Sequence, residues 1–123
     1  MKPIRSNEGE GCRWILSKLE QGISPERLRN SPGRPQYPGE IQRYYVGALI
    51  EVFSNPKFAE LKALVPTAEV QIGINFLTSE KDWLEKGGPG PWPEELADRL
   101  LAIREEISFL QSIHANGITR SAA

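Results

Sequence analysis

Apolar positions recur at helical spacing along most of the chain. Cys12, Ile15, Leu16 and Leu19 mark one face of a first helix, which Gly22 is placed to end. Ser24-Pro25-Glu26 restarts a short helix, with Ser as N-cap, Pro in the first turn and Leu28 as the anchor. Ile41, Tyr44, Tyr45, Ala48, Leu49, Val52 and Phe53 then repeat every three to four residues. Val46 and Ile50 extend that face round most of the helix, so Ile41–Phe53 is expected to be the central, most buried element. Asn55-Pro56 caps a short helix carried by Phe58, Leu61 and Leu64.

Residues 69–76 (Glu-Val-Gln-Ile-Gly-Ile-Asn-Phe) alternate as a strand would, yet Val70, Ile74 and Leu77 also share a helical face and Thr67 suits an N-cap. A lone strand has no partner in an otherwise helical chain, which favours helix. Ser79 and Asp82 read as the start of a separate short helix bearing Trp83 and Leu84, stopped by Gly87-Gly88. The last helix opens at Pro93, has Glu94 and Glu95 where the helix dipole favours anions, and is expected to close at Asn116-Gly117. Leu96, Leu100, Ile103, Ile107, Leu110 and His114 form a heptad seam along it. Phe109 and Ile113 widen that stripe, which favours packing on the chain's own core over a homodimer through the C-terminal helix.

Two Pro/Gly clusters, residues 31–39 and 87–93, interrupt these helices and read as semi-extended loops. The expected fold class is therefore all-α: a compact single-domain bundle of five to seven helices with a long C-terminal amphipathic helix. Residues 1–9 and 118–123 are expected to be flexible ends. A chain of 123 residues suits one such domain.

Charge adds a polarity that the net value of −1 conceals. Residues 1–43 hold eight Lys/Arg and five acids, net +3, whereas residues 44–98 hold four and nine, net −5. The near-neutral total argues against a general nucleic-acid or membrane coat. One cysteine excludes an internal disulfide framework, and the N-terminus lacks the apolar run of a secretory signal, so a cytoplasmic location is expected.

Candidate chemistry is sparse. A nucleophilic pair could be drawn only from Cys12 and His114, and each has a packing explanation. No spacing suggests a metal site, and the glycine-rich 87–90 segment lacks the Lys-Ser/Thr of a phosphate loop. No cofactor, metal or catalytic residue is expected. Trp14 through Leu28, with its Gly-Ile-Ser-Pro-Glu turn, resembles the first half of a helix-turn-helix. That resemblance implies a DNA-binding regulator, but the helix that should enter the groove is the apolar Ile41–Phe53, with Arg43 its one basic residue.

Arg27, Arg29, Arg34, Tyr37, Arg43 and Trp92 are the residue types that dominate protein interfaces, and several flank or occupy the first Pro loop with its two Pro-x-x-Pro frames. The sequence is thus read as a small regulatory or inhibitory protein that binds another protein. Phage- and plasmid-encoded inhibitors of host machinery are chains of this kind.

Overall fold

The computed structural model describes residues 10–30, 40–87 and 93–122. Five α-helices and one 3-10 helix follow in order: α1 (Glu10–Glu20), α2 (Pro25–Arg29), α3 (Glu40–Ser54), the 3-10 segment (Pro56–Leu64), α4 (Thr67–Glu85) and α5 (Pro93–Ala122). The all-α expectation holds, and no strand occurs among the described residues. Residues 69–77 lie inside α4, so the helical reading of that segment is the right one.

Local chemistry sets the boundaries. At the end of α1, Gly22 takes φ 89°, its N–H donates to the Leu19 carbonyl and the Ile23 N–H donates to the Lys18 carbonyl. This paired closure needs a left-handed residue, which glycine adopts without a Cβ penalty. The Ser24 side chain then accepts from the Arg27 N–H and starts α2, while Leu28 is buried beneath it. Asn55 caps the 3-10 segment by accepting from the Lys57 N–H. Gly87, at φ 86°, follows the end of α4, and its N–H donates to the Leu84 carbonyl.

α3 is the centre of the core. Tyr45, Val46, Ala48, Leu49 and Val52 are all essentially sealed from solvent. Cys12, Ile15, Leu16 and Leu19 cover it from α1, Val70, Ile74 and Leu77 from α4, and Ile103 and Leu110 from α5. Gly73 lets α4 approach closely: a Cβ there would stand 2.7 Å from a Leu49 methyl and 3.4 Å from one of Leu110.

Several expectations need correction. Thr67 is the first residue of α4 rather than its cap; Pro66 holds the cap position with no side-chain hydrogen bond. Ser79 and Asp82 start nothing, because α4 continues unbroken to Glu85. Leu77 and Leu84 are both anchored in the core, and those contacts outweigh a local preference of Ser for caps. Leu64 is 45% exposed, since the segment kinks at Phe58 and Val65 takes the buried position instead. α5 runs through Asn116-Gly117 to Ala122, a glycine in a helix costing only about 1 kcal/mol and no proline following it. The expected flexible end at 1–9 lies outside the described residues.

Candidate functional site

The heptad seam of α5 packs on the core through Ile103 and Leu110, and the buried stripe extends beyond it to Arg99, Ala102 and Glu106. Arg99, Ala102, Ile103, Glu106 and Leu110 form the buried stripe, while Leu96, Leu100, Ile107 and His114 lie half-buried at its margin. Two of the buried residues are charged. Arg99 is 1% exposed and donates from Nε to Glu80 Oε2 at 2.8 Å and from Nη2 to Glu80 Oε1 at 2.6 Å. Its Nη1 also donates to Glu106 Oε1 at 3.1 Å. Burial opposes the Arg99 charge, but the hydrogen bonds and charges of Glu80 and Glu106 outweigh it and raise its pKa. Hydrophobic patterning cannot reveal this cluster, because its stability depends on Glu80, nineteen residues away.

A second cluster ties α2 to α4. Arg29 Nε donates to both carboxylate oxygens of Glu69, at 3.0 and 3.1 Å. Glu69 is buried in the first turn of α4, where the helix dipole also favours its charge. Behind it stands Tyr45, fully buried. Burial, followed by the charge of Glu69 and the closeness of that carboxylate to the hydroxyl, raises its pKa, and no described group meets the hydroxyl in full hydrogen-bond geometry.

Three of the sequence-derived partner residues, Arg27, Arg29 and Arg43, lie among the described residues. Arg27 is exposed on α2, whereas Arg29 is half-buried against Glu69. Arg43 is half-buried on α3; burial and then the charge of Arg99 lower its pKa. Arg34, Tyr37 and Trp92 lie outside the described residues. Trp14 packs half-buried on the core, and Trp83 is 54% exposed on α4.

Cys12 is 1% exposed, and its thiol is pushed up to about 12 by burial and the charge of Glu51, with Arg13 acting in the opposite direction. A thiol so raised carries almost no thiolate near neutrality. No hydrogen bond joins it to His114 among the described residues. Nor is any group of three or more His, Cys, Asp or Glu side chains among them arranged to hold a metal ion. No helix among the described residues is long and apolar enough to cross a membrane.

No protein-family model, curated protein or solved structure matches this chain.

Proposed function

We propose that the chain is a non-catalytic regulatory or inhibitory protein that acts by binding another protein, with α2 in the contact surface. The observation that carries this reading is the contrast between its reactive and its presented groups. The one thiol is sealed in the core, while Arg27 stands in solvent on a helix held firmly to the bundle by Leu28 and Arg29. Arginine on a pre-ordered element is well suited to a protein contact, since little conformational freedom is lost on docking.

The burial of α3 favours a protein over DNA as the partner. A recognition helix must offer polar side chains to base edges, and this one is occupied by the core. The five residues of α2 are less than two turns, too short to replace it. A cytoplasmic site of action belongs to the same proposal.

The test is capture from an extract of the native host by the wild-type chain and by Arg27→Glu, alongside a low-salt mobility-shift assay on duplex DNA. A protein retained by the wild type and lost with R27E, at an unchanged thermal transition, is the expected result. Equal capture by R27E, or a salt-sensitive DNA shift without protein capture, would overturn the reading.

A further inference from the structure

The hydrogen-bonding pattern of Arg29 is lopsided. A guanidinium carries five N–H donors, one on Nε and four on the two Nη atoms. Here the single Nε–H is shared between both oxygens of Glu69, at 3.0 and 3.1 Å, and neither Nη donates to any described residue. The side chain is 21% exposed, against 8% for Glu69. Glu69 is itself immobilised, buried in the first turn of α4 in front of the sealed Tyr45 ring. Among the described residues, Arg29 is therefore held by its inner nitrogen alone, and its outer fork meets no acceptor.

We propose that the two Nη atoms of Arg29 form a pre-oriented fork that receives an Asp or Glu carboxylate of the protein partner, with Glu69 as its positioning residue. This assignment rests on the protein-binding reading above and supplies the chemistry of the partner: an acidic segment. A planar fork meets a carboxylate through two parallel hydrogen bonds, and one already fixed in orientation loses less side-chain freedom than a freely rotating arginine. Arg27, exposed on the same helix, adds long-range attraction for such a segment. The net charge of −1 for the whole chain is consistent with a local acidic contact rather than with wrapping a polyanion.

Fluorescein-labelled octaglutamate is the probe, titrated at low salt (about 20 mM), where screening is weak. Arg29→Lys preserves the charge and a donor for Glu69 but abolishes the fork. It is expected to weaken binding by about fivefold or more while the thermal transition persists. Glu69→Met gives the sharper discrimination. Simple charge counting predicts tighter binding of an acidic probe when an acid is removed, whereas loss of positioning predicts weaker binding. Weaker binding is the expected result.

Independently of any variant, octaglutamate should shift the Arg29 Nη resonances in nitrogen NMR and leave Nε nearly unmoved. Wild-type affinity in R29K, tighter binding in E69M, or Nη resonances that do not respond would overturn the assignment, as would duplex DNA binding more tightly than octaglutamate. Host-protein capture that depends on Arg27 but survives R29K would leave the protein-binding reading intact and remove only the role of Arg29.

Discussion

Arg99 on α5 grips Glu80 on α4 through two parallel hydrogen bonds, with Nε–Oε2 at 2.8 Å and Nη2–Oε1 at 2.6 Å. The guanidinium also holds Glu106 one heptad further along its own helix. The antiparallel α4–α5 pair is thus fixed in register by charges inside its contact, and the three partners differ in burial. Arg99 and Glu106 are sealed, while the Glu80 side chain is 28% exposed. Breaking a buried pair leaves a charge without compensation and is far more costly than losing an exposed one. Arg99→Met is accordingly expected to lower stability by about 3–5 kcal/mol. Glu80→Gln, which keeps an acceptor at a partly hydrated site, is expected to cost less, about 1–2 kcal/mol. Chemical denaturation of both variants checks the ranking.

Two groups make the fold sensitive to high pH. Cys12 ionises near 9.0 when unfolded and near about 12 in the native state. Between those values the unfolded chain has released its proton and the native chain has not, so stability must fall as pH rises from about 9. Below 9 both states hold the proton and no slope arises from this group. Tyr45, ordinarily at 10.0 and raised in the fold, adds a second decline above that value. Cys12→Ala should flatten the profile from about pH 9 and Tyr45→Phe from about pH 10, read from unfolding midpoints across the alkaline range.

Close approach of α3, α4 and α5 depends on Gly73. Alanine normally gains about 1 kcal/mol over glycine in a helix. At Gly73 the added methyl meets Leu49 at 2.7 Å in a filled core, and overpacking of that kind costs about 1–3 kcal/mol. Gly73→Ala is expected to destabilise despite its propensity gain. Gly11→Ala should do so more strongly, because its Cβ would overlap the Tyr44 ring. Thermal unfolding of the two variants reads the order.

Tyr45→Phe at neutral pH offers an opposite sign. The hydroxyl is sealed and no described group meets it in full hydrogen-bond geometry, so its removal relieves a desolvated polar group and leaves the ring packing in place. The variant is expected to match or slightly exceed the wild type in denaturant midpoint. A clear loss would show that the hydroxyl contributes to holding Glu69.

These contacts also show where sequence reasoning reaches and where it stops. Cys12, Ile15, Leu16 and Leu19, the Gly22 stop, the Ser24 cap and the buried face of α3 were all legible, because spacing and capping are encoded within a few residues. The break expected at Ser79 was not real, since the cap preference of one serine is outweighed by Leu77 and Leu84 in the core. The seam through Leu96, Leu100, Ile103, Ile107, Leu110 and His114 does meet the chain's own core, with Ile103 and Leu110 sealed and Leu96, Leu100 and Ile107 packed at the margin. That pattern missed Arg99 and Glu106, whose burial depends on a distant glutamate rather than on their own hydrophobicity. Arg29 was legible as a candidate by residue type, but its tether to Glu69, forty positions away, was not. Arg34, Tyr37 and Trp92 lie outside the described residues.

The most direct measurement is amide hydrogen exchange of the free protein and of its complex with the protein captured from the native host. A partner seated on α2 should slow exchange across residues 24–30 and at the first turn of α4 beside Glu69, with the buried amides of α3 unchanged. Unaltered exchange in α2 in a saturated complex would contradict the proposed surface.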